Sequence, residues 1–168
     1  WRDGFTGKGI KVAVVDSGLQ IGHEDLAANV DVAKSFNFLN GSNDPTPSIA
    51  GFDHGTAVAG IVGAAAFNGK GGRGVAYEAT LRGYNLLASG ASTLANFGYA
   101  LGGASYSSDV DIFIESFGAS SSQLPPQVNS YNAINANALT LRGGKGAILV
   151  QSAGNSFSSF GNAEVAKY

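Results

Sequence analysis

At 168 residues the chain is long enough to bury one core and too short to argue for two. Hydrophobic residues make up 44% and charged residues 13%, which excludes a disordered chain, and a net charge of −2 gives no electrostatic reason to expect nucleic acid or an anionic membrane surface as a partner. The lack of cysteine excludes a disulfide framework and thiolate metal sites, and no apolar run reaches the about 18 residues a bilayer span needs. With no methionine and Trp1 at its head, the chain reads as having a processed or excised start.

Taken in order, short apolar runs bounded by glycine and polar residues predict buried parallel strands over 11–15, 80–87, 110–115 and 147–151. Helical spacing lies between them. Residues 54–66 place Val58, Ile61, Val62 and Ala65 on one stripe, 93–101 place Leu94, Phe97 and Leu101, and a third helix runs from a Ser130 cap through Ile134, Ala138 and Leu141 to Gly143-Gly144. Loops rich in glycine, serine, asparagine and proline are expected over 39–52, 67–74 and 118–128. The alternation predicts an α/β fold: an open, mainly parallel sheet with helices on both faces, forming one domain with no internal boundary over 1–168. Its binding crevice belongs at the carboxyl ends of the strands, where Asp16, Ser116 and Asn155 fall.

Three segments carry chemistry. Lys11-Val12-Ala13-Val14-Val15-Asp16-Ser17-Gly18 delivers an aspartate off a strand, Phe52-Asp53-His54-Gly55-Thr56-Ala57-Val58-Ala59-Gly60 puts a histidine at the head of a small-residue helix, and Ile148-Leu149-Val150-Gln151-Ser152-Ala153-Gly154-Asn155 ends in an asparagine. Each has a bland alternative when taken singly: a helix-capping carboxylate, a packing imidazole, a residue tolerant of a left-handed turn. Together they match acyl transfer. A serine hydroxyl needs a neutral imidazole to take its proton, the imidazole needs a carboxylate to fix its tautomer, and the tetrahedral oxyanion needs preorganised donors.

In that chain order the segments resemble the subtilisin-like serine proteases, the subtilases. The likeness runs from Gly9 to Gly18, through His23-Glu24-Asp25-Leu26, the histidine helix, Gly74-Val75-Ala76-Tyr77 and Ser116-Phe117-Gly118, to Asn155. Asp44-Pro45-Thr46-Pro47 and Gly74-Val75-Ala76-Tyr77 look most like the kexin or proprotein-convertase branch. The resemblance implies Asp16 as orienting acid, His54 as general base and Asn155 as oxyanion donor, with Ser116, Phe117 and Gly118 pairing with extended substrate. It implies protein or peptide substrates, an extracytoplasmic setting, and structural Ca²⁺ held by Asp25 and Asn68, whose oxygens suit a hard cation. Lys70 and Arg73 lie in that same loop and weigh against it.

No serine stands in the Gly-Thr-Ser setting the family uses for its nucleophile. The chain is therefore expected to be the N-terminal portion of the catalytic domain, inactive alone, its sheet incomplete, and completed by C-terminal polypeptide or a second chain. A non-catalytic binding or inhibitory fragment with the same fold stays open. A nucleotide-binding domain does not: no G-x-G-x-x-G opens a helix after a strand, and there is no Walker lysine. Ala119-Ser120-Ser121-Ser122 brings no carboxylate to the substrate segment, which puts strict dibasic specificity in doubt.

Overall fold

The computed structural model describes residues 1–49, 51–118 and 128–155. Four parallel strands, β1 (Lys11–Val15), β2 (Thr80–Tyr84), β3 (Ile112–Glu115) and β4 (Ile148–Gln151), form one sheet in the order β2-β1-β3-β4. This is the open α/β sheet read from the sequence, with strands at all four expected places and each of the last three shorter than its apolar run. β1 lies between β2 and β3 in parallel register, Val12 opposite both Leu81 and Ile112. Such a strand is covered on both faces, which explains its unbroken apolar composition. Val12, Val14 and Val15 are all buried, each contributing about 1.5–3 kcal/mol relative to exposure.

One face of the sheet packs α1 (His54–Gly63), with Val12, Val14, Leu19, Leu26, Ala59 and Leu81 at the contact. The opposite face carries α2 (Leu94–Gly98), an irregular turn at Tyr99–Gly103 and α3 (Val128–Ala138), closing over Ala13, Val15, Tyr84 and Phe113. Thr93 caps α2, its hydroxyl accepting from Asn96 N–H. Ser130 does not cap α3 as expected, because the helix starts at Val128. The loop expected over 118–128 lies mostly outside the described residues. Among the described residues no helix is long and apolar enough to cross a membrane.

The histidine helix departs from its predicted stripe at one residue. Its buried positions are Gly55, Thr56, Ala59 and Gly63, while Ile61 is 72% exposed. Small residues let the helix backbone approach the sheet closely, and of the predicted stripe Val58 and Val62 pack partly buried against the same core and Ala65 is buried, leaving Ile61 turned to solvent. The consequence is a tight seat for His54.

Candidate active site

The end of β1 fixes Asp16 through its backbone before its side chain does anything. Its N–H donates to the Tyr84 carbonyl and its carbonyl accepts from Leu87 N–H, both at 2.9 Å, tying the strand exit to the chain leaving β2. The carboxylate is fully buried. Ser17 N–H donates to Oδ1 at 2.6 Å, and Nδ1 of His54 lies 2.8 Å from Oδ1 and 2.9 Å from Oδ2. A carboxylate only accepts, so the proton of a neutral ring sits on Nδ1 and the lone pair on Nε2. The imidazole side chain is 59% exposed against 1% for its partner. One nitrogen is anchored in the protein, and the ring reaches solvent.

The helix N-terminus is clamped by a residue that the sequence pattern did not single out. Ser17 Oγ accepts from Gly55 N–H at 3.2 Å and donates to the Phe52 carbonyl at 3.1 Å, so one hydroxyl ties both sides of His54 to the end of β1. Thr56 adds a second tie, its hydroxyl accepting from Gln20 N–H at 3.0 Å. No periodicity signals such ties.

Gly55 is demanded by close approach. A Cβ there would collide with the Gly18 carbonyl and lie 2.8 Å from the Asp16 Cβ. Gly55→Ala is expected to push the helix head off Asp16 and, in a peptidase that this acid and base serve, to lower kcat by about 10²-fold, the cost of a misplacement near 1 Å. Steady-state kinetics alongside circular dichroism checks this; an unchanged kcat in a folded variant means the contact is not limiting.

At the same sheet edge, Ser116, Phe117 and Gly118 follow β3 directly, and 152–155 follow β4. Ser152 N–H donates to the Glu115 carbonyl at 3.0 Å, so the two segments leave the sheet side by side. Phe117 packs edge-on to Phe97 at 5.7 Å between ring centroids. Gly154 takes a left-handed φ of 85°, and Asn155 beyond it is exposed. The structure thus joins Asp16 to His54 directly and sets Ser116–Gly118 beside 152–155. Among the described residues no hydrogen bond links Asn155 to the histidine.

Asp25 and Asn68 also meet. Asn68 Nδ2 donates to Asp25 Oδ1 at 2.7 Å, and Gly72 N–H donates to Oδ2 at 2.9 Å. The amide contact, then the backbone one, lowers the Asp25 pKa from its ordinary value. A Cβ at Gly71 would strike Asp25 Oδ2, so only glycine lets this loop close over the carboxylate. The loop's cations are engaged elsewhere: Lys70 Nζ lies 3.6 Å from Glu24, and the Arg73 guanidinium stacks 3.7 Å above the Trp1 ring. Lys70 still acts on Asp25 through its charge, a lesser contribution than the two hydrogen bonds. The Asn68 amide is oriented from both ends, its Nδ2 towards Asp25 and its Oδ1 accepting from Lys70 N–H at 3.1 Å, so a hard cation between the two side chains would need the amide turned and the Lys70 bond given up. Among the described residues no group of three or more Asp, Glu, His or Cys clusters as a metal site.

With this geometry established, comparison with known proteins is informative. The subtilase family profile matches residues 7–168. The chain belongs to the subtilase family. This subtilase is 41% identical over 162 residues to the Aeromonas extracellular serine protease of Aeromonas sobria, covering 94% of the chain and 25% of that protein. It is 47% identical over 88 residues to Furin-like protease 2 of Drosophila melanogaster, covering 52% of the chain and 5% of the relative. The crystal structure of the Aeromonas sobria serine protease in complex with its chaperone matches 90% of the chain with a TM-score of 0.81 at 38% identity, over 26% of that chain. The subtilase chain therefore spans about a quarter of the length of the Aeromonas protease.

Proposed function

We propose that this chain supplies the acid, the base and an oxyanion donor of a serine endopeptidase whose nucleophilic serine comes from polypeptide outside these 168 residues. The observation that carries the reading is His54 held through Nδ1 by the buried Asp16 carboxylate. Nε2 takes the serine proton as Oγ attacks the peptide carbonyl, then returns it to the departing amine; water hydrolyses the acyl-enzyme by the same exchange. Asn155 donates to the oxyanion, and the backbone of Ser116–Gly118 pairs with extended substrate. The apolar surface left at Ile61, Ile148 and Val150, 72%, 60% and 47% exposed, supports a further polypeptide packing beside α1 and β4. The full-length polypeptide should hydrolyse peptide amides and be silenced by an organophosphate. Hydrolysis by purified residues 1–168 alone would place the nucleophile inside the chain.

The substrates on this reading are proteins or peptides, and no carboxylate in Ser116–Gly118 recruits a basic side chain. The setting is extracytoplasmic, as the name of the Aeromonas relative states for that protein. Asp25 and Asn68 hold a structural Ca²⁺. Chelation with EDTA should lower the melting temperature of the full-length protein and calcium should restore it, since a cation at a hundredfold excess over its Kd adds about 2.7 kcal/mol. Asp25→Ala should abolish the response. Melting indifferent to both EDTA and calcium means that the Asn68 and Gly72 hydrogen bonds close the loop unaided.

A further inference from the structure

The last residue of β3 is an acid in an apolar place. Glu115 is 2% exposed, and its Oε1 has no hydrogen-bond partner among the described residues. Side chains alternate along β3, so Glu115 shares a face with Phe113 rather than with Ile112 and Ile114, which pack on the α1 side. On that face β1 contributes Ala13 and Val15, β4 contributes Leu149 and, paired with Glu115 itself, Gln151. From the helical layer come Phe97, Leu101 and Ile134. β2 brings the titratable Tyr84 to that face, whose hydroxyl donates to the Tyr106 carbonyl at 2.9 Å, and burial is the cause acting on Glu115. Buried polar atoms are nearly always paired, so an orphaned carboxyl oxygen calls for an account.

Its position supplies one. Glu115 immediately precedes Ser116, and its carbonyl accepts from Ser152 N–H at 3.0 Å, so it stands at the root of both the substrate segment and the segment leading to Asn155. We propose that Glu115 is a positioning residue whose neutral carboxyl keeps 116–118 and 152–155 packed side by side, and whose ionisation parts them and thereby limits activity at alkaline pH. A charge at that point must draw in water or a donor, which disturbs the backbone that Glu115 shares with Ser116 and Ser152. Burial pushes the Glu115 carboxyl up from 4.5 to about 7, so the neutral form is held through weakly acidic pH. The sign follows: the folded state retains the proton more tightly than the unfolded chain, so the acid's effect on stability is neutral below the unfolded value and turns unfavourable as pH rises towards 7.

The inference rests on the serine endopeptidase reading, and its test separates the two. Wild type and Glu115→Gln full-length protein are assayed for kcat/KM on a peptide amide between about pH 5.5 and 8.5, and only the ratio of variant to wild type is read, which cancels groups common to both. Titration at about 7 leaves roughly one neutral carboxyl in thirty at pH 8.5, so the ratio should climb by up to about thirtyfold across the range, with KM rising in the wild type alone. The melting temperature of Glu115→Gln relative to wild type should climb from pH 5.5 to about 7 and level off above it. An active enzyme with a flat ratio overturns the proposal, whereas absent hydrolysis in both proteins overturns the endopeptidase reading and leaves the melting comparison to decide. Glu115→Met, apolar and neutral at every pH, serves where Gln does not fold; if neither neutral variant folds at pH 5.5, the claim that the fold holds a neutral side chain there is wrong.

Discussion

His54→Ala in the complete enzyme should lower kcat by about 10⁶-fold, a loss known from subtilisin and carried over on the family relationship. The geometry explains why so much rests on one ring. The Asp16 carboxylate touches the reaction only through Nδ1, at 2.8 and 2.9 Å, so removing the imidazole disconnects the acid as well. A serine without its base is a poor nucleophile at neutral pH, and the residual rate would come from the oxyanion donors and substrate binding. KM should move little, because the ring is not the surface that pairs with substrate backbone. Steady-state kinetics with active-site titration checks this; a loss of less than about tenfold would show that His54 is not the base.

Asn155→Ala should cost about 10²–10³ in kcat with KM nearly unchanged, a range also carried over from subtilisin. On the proposed role the amide acts on charge that exists only in the transition state, so substrate affinity is not its concern. Two features make the side chain suited to that work: it is exposed at the crevice edge, and among the described residues no hydrogen bond ties it up. Gly154 at φ 85° turns the backbone just before it. A rise in KM at constant kcat would instead make Asn155 part of the ground-state pocket.

The sheet was readable because burial on both faces leaves unbroken apolar runs, and 11–15 became a strand with those bounds. Strand ends were overestimated where the apolar character outlasts pairing: Leu86 is fully buried yet lies beyond β2. The α1 stripe holds at Val58, Val62 and Ala65 and fails at Ile61 for a physical reason. Hydropathy favours Ile61, whereas the sheet selects Gly55, Ala59 and Gly63 for backbone approach, a steric criterion that composition does not rank. The Asp16–His54 contact was legible as a chemical need, since a base requires its acid, but Ser17 was not. Its hydroxyl bonds depend on where Phe52 and Gly55 arrive in space. Glu115 carries no signal in the sequence beyond its place at the end of a strand, and its burial depends on the turn of its side chain into the apolar layer. Asp25 and Asn68 came from family likeness alone, and the contact between them emerged only with the fold.

The most direct measurement is covalent labelling of the full-length polypeptide with a fluorophosphonate, followed by peptide mapping in wild type and His54→Ala. The label should fall on one serine outside residues 1–168, and labelling should be lost without the imidazole. A label on any serine within 1–168, or labelling that persists undiminished in His54→Ala, would contradict the assignment of Asp16 and His54 as the acid and base of a nucleophile supplied from elsewhere.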